Sequence, residues 1–262
     1  MDGGWKDDTM LKPSIMLSLF MLLAFLCFSS PVPAAESGGS NAVVTVIKGT
    51  ARVYSKEATQ GHVIKKGDRI REDQEVRVAE KSRIEMRFPD GTVMRLSEKS
   101  RLKMSELTFN KQTESKNVKV DLEGGKLWAN VKKLTTPDSS VAVRTSNAVA
   151  GVRGTVYQVN VDEDKSALVK VYDGEVYVAN PPRDTTQQTD KVKAPHPVAG
   201  PHEVPPPMHE VSMEEWTVIV KAMQQITISP EGVASKPQAI DPKTDADDWV
   251  KWNQERDKTL TF

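Results

Sequence analysis

The sequence predicts an all-β protein with a Pro-rich linker and a short helical C-terminal tail. Three observations predict it. Apolar and polar residues alternate at period two from Ala42 to Ala179, short turn signals interrupt that alternation, and a helical spacing emerges only after residue 205. The chain has 262 residues, with 36 Lys+Arg against 36 Asp+Glu, so its formal net charge is zero. That length allows one or two domains with real cores. The neutral balance argues against a general nucleic-acid binder, which carries a basic excess. Aromatic content of 6% and a mean hydropathy of −0.47 exclude a multi-span helical membrane protein. The 38% of apolar residues is too high for a wholly disordered chain. One cysteine, Cys27, excludes a disulfide framework and a Cys-ligated metal.

The elements follow in chain order. Residues 15–28 form a 14-residue apolar run, preceded by Lys12 and followed by Pro31-Val32-Pro33-Ala34-Ala35. This pattern predicts a secretory signal peptide over residues 1–35, with Met10 as an alternative start and cleavage after Ala34 or Ala35. The run is shorter than the roughly 20 residues that span a bilayer. Left uncleaved, it would serve as an inner-membrane anchor. Residues 36–41 read as a flexible lead-in and 42–180 as one β domain. Within it Ile84, Met86 and Phe88 alternate with charged neighbours, as do Val118, Val120 and Leu122, and Val169 and Val171. Gly67-Asp68, Asp90-Gly91, Gly124-Gly125 and Asp173-Gly174 supply the turns, and Asp90-Gly91 and Asp173-Gly174 read as hairpins. Gly151 and Gly154 flank Val152-Arg153 and read as a tight connection between Val141–Arg144 and Thr155–Val161.

Residues 181–207 hold 8 of the 16 prolines and read as an extended linker. The tail, 208–262, is expected to form two short helices. The first starts at the capping box Ser212-Met213-Glu214-Glu215 and carries Met213, Trp216, Val220 and Met223 at helical spacing. A short strand, Ile226-Thr227-Ile228, precedes Pro230. The second helix has its N-cap within Thr244–Asp248, carries Trp249 and Trp252, and places Arg256 and Lys258 late, in keeping with the helix dipole.

Six segments within the β domain stand in a recognisable order. They are Gly49-Thr50-Ala51-Arg52-Val53; Lys66-Gly67-Asp68-Arg69-Ile70; Ser82 to Phe88 leading into Asp90-Gly91-Thr92-Val93-Met94-Arg95-Leu96; Gly124-Gly125-Lys126-Leu127; Val152-Arg153-Gly154-Thr155; and Val171-Tyr172-Asp173-Gly174-Glu175-Val176. From Val43 to Val178 the chain thereby resembles the FecR-type domain of bacterial envelope proteins. The resemblance implies a β-solenoid-like stack of short strands and an envelope location. The best-known members are membrane-spanning regulators that sense a loaded outer-membrane siderophore receptor and control a cytoplasmic sigma factor. Here 14 residues precede the apolar run, so a sigma-regulating segment is not expected, and the resemblance carries over the fold and location only.

No catalytic constellation, cofactor site or metal site is expected. His62 is the only histidine of the β domain and reads as a surface loop residue, while His196, His202 and His209 lie in or beside the linker. Asp162, Glu163 and Asp164 read as a solvated turn rather than a glycosidase pair. Trp249 and Trp252 form either a packing face or a partner platform. Residues 42–180 carry 25 basic and 19 acidic side chains, and residues 203–262 carry 6 and 11, so the acidic tail is expected to dock on the basic domain. The function expected is a non-enzymatic, periplasmic or secreted protein-interaction or sensing module. Its partner would be an envelope protein, engaged through exposed strand edges; the alternatives are a module binding a cell-wall polymer or polysaccharide, and a membrane-tethered signalling protein. Nucleic acid is not expected as a partner, and membrane only if the N-terminal segment stays uncleaved.

Overall fold

The computed structural model describes residues 1–3, 40–181 and 217–260, apart from Glu57, Thr59 and Lys111. The expected signal run, nearly all of the linker, the capping box at Ser212 and the three C-terminal histidines lie outside the described residues. The chain divides into two compact units, Met1–Gly39 and Ser40–Phe262, and every element below belongs to the second.

The first elements are β1 (Ala42–Lys48), β2 (Ala51–Tyr54), β3 (His62–Val63), β4 (Arg69–Ile70), β5 (Glu75–Val78) and β6 (Arg83–Arg87). Then come β7 (Val93–Leu96), β8 (Arg101–Asn110), β9 (Ser115–Asn130), β10 (Ser140–Arg144), β11 (Val149–Val152) and β12 (Val156–Val161). The series closes with β13 (Ala167–Asp173), β14 (Glu175–Ala179), β15 (Thr217–Lys221), β16 (Gln224–Ile228), β17 (Gln238–Ala239) and α1 (Asp248–Lys258). The protein is mostly β, with one short C-terminal helix among the described residues.

The strands form two sheets. Sheet A has the order β4-β1-β6-β7-β9-β12-β13-β16-β17. Sheet B has the order β3-β2-β5-β8-β9-β10-β11-β14-β15, antiparallel throughout except for the parallel pair β9 and β10. Neither sheet closes on itself among the described residues. β9 belongs to both. Its residues up to Gly124 pair in sheet B, and those from Gly125 to Asn130 pair in sheet A. The expected Gly124-Gly125 turn is therefore a sheet switch inside one continuous strand. Gly125 has φ +85, and a Cβ there would stand 2.5 Å from the Ser100 backbone.

Alternation explains the core. Ile84, Met86, Met94, Leu96, Leu127, Tyr157 and Val159 of sheet A join Val76, Leu102, Met104, Val118, Val120, Val143, Val176 and Val178 of sheet B in a single buried cluster. Each large aliphatic side chain so buried contributes roughly 1.5–3 kcal/mol.

Three further expectations need correction. Asp173-Gly174 is not a hairpin: β13 pairs in sheet A and β14 in sheet B, so the turn carries the chain between sheets. Gly174 has φ +82, and a Cβ there would lie 2.8 Å from the Gly154 carbonyl oxygen, which explains the glycine at this corner. Gly151 is not in a turn but inside β11, between Ala142 and Tyr177 of the neighbouring strands. The helix expected around Val220 and Met223 is instead two strands, β15 in sheet B and β16 in sheet A, with Met223 at φ +61 in the corner that carries the chain between the sheets. Thr217 to Val220 and Ile226 to Ile228 are rich in β-branched residues, and the edges of β14 and β13 offer them backbone partners, so pairing wins over the helical spacing.

Candidate functional site under the C-terminal helix

Period two sends Glu85, Arg95, Trp128, Gln158 and Lys170 to the face of sheet A that points away from the core. Register places them in one row across five strands, with Glu85 opposite Arg95, Arg95 opposite Trp128, Trp128 opposite Gln158, and Gln158 opposite Lys170. An outer row of this composition would normally be solvated. Here Glu85, Arg95, Trp128 and Gln158 are all buried.

The helix α1 covers them. Asp247 caps it, its carboxylate accepting from the Val250 N–H at 2.7 Å, with Asp248 in the first turn and Arg256 and Lys258 in the last. Its Trp249, Val250 and Asn253 are buried against the sheet. Trp128, Trp249 and Val250 form a second small cluster, flanked by Val156, Tyr172 and Trp252. Trp128 stacks on Tyr172 at 4.6 Å and Trp249 on Trp252 at 5.6 Å, while the Arg83 guanidinium sits 4.9 Å from the Trp252 ring centre.

A charged network ties the helix to the row. Arg95 donates to Glu85 at 2.7 Å and to Asp257 at 2.6 Å. Arg256 donates through two nitrogens to both Glu85 oxygens, at 3.1 and 2.8 Å, and the Thr45 hydroxyl donates to the same carboxylate at 2.7 Å. Trp128 Nε1 donates to the other Asp257 oxygen at 3.0 Å. Burial pushes the Glu85 carboxyl up, but the hydrogen bonds from Arg256, Thr45 and Arg95 outweigh it and hold the pKa down at about 2. Glu85 is thus a fixed carboxylate. Just before the helix, Asp245 accepts from Lys170 and, at 2.8 Å, from the Tyr172 hydroxyl. Burial first, then that bond, raises the Tyr172 pKa, so the phenol keeps its proton and stays a donor.

The opposite side of the molecule is different. On the outer face of sheet B, Gly151 lies opposite Tyr177 and Tyr177 opposite Ile219. Tyr177 and Ile219 are both 45% exposed, and β15 is the last strand of that sheet among the described residues.

Of the residues singled out from sequence, Trp249 is buried in the helix–sheet contact and Trp252 packs at its margin. Asp90 is a turn anchor: its carboxylate accepts from the Thr92 N–H at 3.1 Å, from the Thr92 hydroxyl at 2.6 Å and from the buried Lys116 ammonium. Asp68 similarly accepts from the Lys65 N–H at 2.7 Å beside Gly67. Gly91 and Gly154 take positive φ, whereas His62 lies exposed in β3. None of these turn residues joins the helix-covered row. Sequence reasoning missed Glu85, Arg95 and Trp128 as site residues. One local signal marked Trp128: Leu127-Trp128-Ala129 breaks the alternation, as strands buried on both faces do.

Residues 74–177 match the FecR protein family. The FecR match begins one residue before β5 and ends within β14. It contains Glu85, Arg95, Trp128 and Tyr172, whereas Thr45 and α1 lie outside it. The chain is also similar to two crystal structures of a proposed anti-sigma factor from Parabacteroides distasonis, with TM-scores of 0.46 and 0.44 and 20% identity in both cases. Each alignment covers 69% of this chain and 64% of the other. The chain therefore spans less than two thirds of the length of those proteins. No curated protein matches it. Among the described residues no helix is long and apolar enough to cross a membrane.

Proposed function

We propose that this protein is a sensing or signalling regulator of the bacterial envelope, working by protein–protein contact rather than by catalysis. The FecR match over residues 74–177 is the observation that carries the reading. Export through residues 1–35 to the periplasm or beyond, with a solenoid-like stack of strands as the rigid carrier, is the finer form of the proposal. Its support is the apolar run with its small-residue flank, and the pairwise alternation of strands between sheets from β10 to β17. The chemistry of the site agrees: Glu85, Arg95 and Asp257 spend their charges on one another, an arrangement that positions an element. The exposed Tyr177 and Ile219 give a partner apolar area at β15, the last strand of sheet B among the described residues.

In-envelope photo-crosslinking tests this. A photoreactive phenylalanine analogue replaces Tyr177 or Ile219 in the native host, and the expected product is an adduct with a discrete envelope protein. Adducts to cell-wall polymer alone, matched by retention on purified peptidoglycan, would replace the reading with that of a wall-binding module. N-terminal mass analysis of the native protein checks export, with a mature start near Ala35 or Glu36 expected. Recovery of intact residues 10–34 in the membrane fraction would replace the free form by an anchored one.

A further inference from the structure

The segment around α1 meets sheet A acid to base. Asp245 pairs with Lys170, Asp247 with Lys126 at 3.5 Å, and Asp257 with Arg95 at 2.6 Å, while Arg256 returns one cation to Glu85. Without this segment the face would present Arg83, Arg95, Lys126 and Lys170 around Glu85, with the Trp128 and Tyr172 rings between them. Such a face is complementary to a segment with an acidic flank leading into a helix that carries an aromatic side chain and a carboxylate for Arg95.

The fit of α1 to this face is incomplete. Among the described residues Arg95 Nη2, Gln158 Oε1 and Trp249 Nε1 are buried without a hydrogen-bond partner, and Arg95 and Gln158 flank Trp128 in the same row. Unsatisfied buried groups cost stability, so the contact holds less tightly than its area and charges allow. With 11 residues the helix is also too short to persist alone in water, and its order depends on this docking. Finally, the strands that form the row, β6, β7, β9, β12 and β13, lie within the FecR match, and α1 does not.

We infer that the outer face of sheet A is an acceptor for tryptophan-bearing helices entered through an acidic N-terminal flank, and that α1 with its flank Asp245–Asp247 is the resident occupant in cis. A partner protein's helix of that kind, with an additional acceptor for Arg95 Nη2, displaces α1. The partner half of this inference rests on the regulatory reading above. The acceptor half does not. α1 lowers the affinity for any competing helix by the fraction of time it stays docked, so weakening α1 must strengthen the competitor.

The experiment uses the full chain and a fluorescent synthetic peptide of residues 244–260. The peptide is expected to bind the wild-type chain weakly and the Asp257→Asn chain about tenfold more tightly or better. A peptide carrying Trp249→Ala should bind neither. Hydrogen exchange on the wild-type chain should show the amides of 251–258 opening without those of β9 and β12. The inference is overturned if the peptide does not bind an Asp257→Asn chain with native circular dichroism. It is equally overturned if the α1 amides exchange only with global unfolding, a measurement that decides alone should the variant not fold. Peptide exchange without any envelope adduct would sink the regulatory reading and leave the acceptor face standing. An adduct formed while α1 stays protected would sink the displacement and leave the regulatory reading standing.

Discussion

The two outer faces of this protein invert the usual relation between polarity and exposure. On sheet A, Glu85 and Arg95 are 3% and 0% exposed, while on sheet B, Tyr177 and Ile219 are 45% exposed. Both faces arise from the same alternation, and both sheets give their inner residues to one core. They differ in what lies on top. Sheet A carries α1, whose acids and bases answer the charges of the row, and the outward Tyr177–Ile219 row of sheet B is uncovered among the described residues. A charge can be buried when a covering element brings its counter-charge, and an apolar ring can stay in water when no element reaches it. The same comparison separates permanent from conditional contacts. The core is apolar and continuous; the helix contact is a short ladder of ion pairs and rings.

The largest expected effect falls in the core. Leu127→Ala removes a fully buried side chain from the core that both sheets share and should cost about 2–5 kcal/mol of global stability, read from the urea midpoint. Its neighbour in sequence, Trp128, points the other way. With α1 detaching before the sheets unfold, as inferred above, substitutions on that face are expected to cost at most its docking free energy. A Trp128→Ala loss as large as that of Leu127→Ala, with simultaneous unfolding of both sheets, would break the distinction between the two kinds of contact.

Asp257→Ala comes next. It removes charge-assisted hydrogen bonds to Arg95 and Trp128, worth roughly 1.5–3 kcal/mol, and should lower α1 amide protection about ten- to a hundredfold with β12 unchanged. The paired replacement of Trp249 and Trp252 by alanine should likewise lower the melting temperature and expose α1 to protease while the sheets remain folded. Unchanged melting together with quencher-accessible wild-type tryptophans would refute the docked helix.

Acid titration sharpens the comparison further. The folded pKa of Glu85 is depressed from 4.5 to about 2, so its contribution is present above the unfolded value and is lost as pH falls from 4.5 through 2. Tryptophan fluorescence should report loosening of α1 across that window, ahead of core unfolding. Glu85→Gln should remove this acid step and leave a weaker helix contact at neutral pH. The smallest effect belongs to sheet B. Tyr177→Ser and Ile219→Thr should each change stability within about 0.5 kcal/mol, as exposed positions do, yet reduce capture of the partner. A larger stability loss would show that this face is covered after all.

Much of this architecture is legible locally. The alternation in Ile84 to Phe88 and in Val118 to Leu122 names residues that share a face, the Asp90-Gly91 pair closes the β6–β7 hairpin, and the acids before Trp249 start the last helix where Asp247 caps it. These are properties of a few adjacent residues, set by backbone sterics and side-chain periodicity. Other features depended on partners distant in sequence. Asp173-Gly174 and Gly124-Gly125 carry the same turn chemistry as a hairpin, and only the pairing of their flanks makes one a corner and the other a switch within a strand. Thr217 to Met223 could satisfy a helical or a strand period until β14 and β13 offered an edge. Glu85 meets Arg256 across 171 residues, a contact that no local pattern encodes. The sequence by itself determined which side chains lie together on a face, because that follows from a two-residue repeat. The tertiary structure alone decided which face is covered and by what, because burial depends on elements that meet only after the chain has folded.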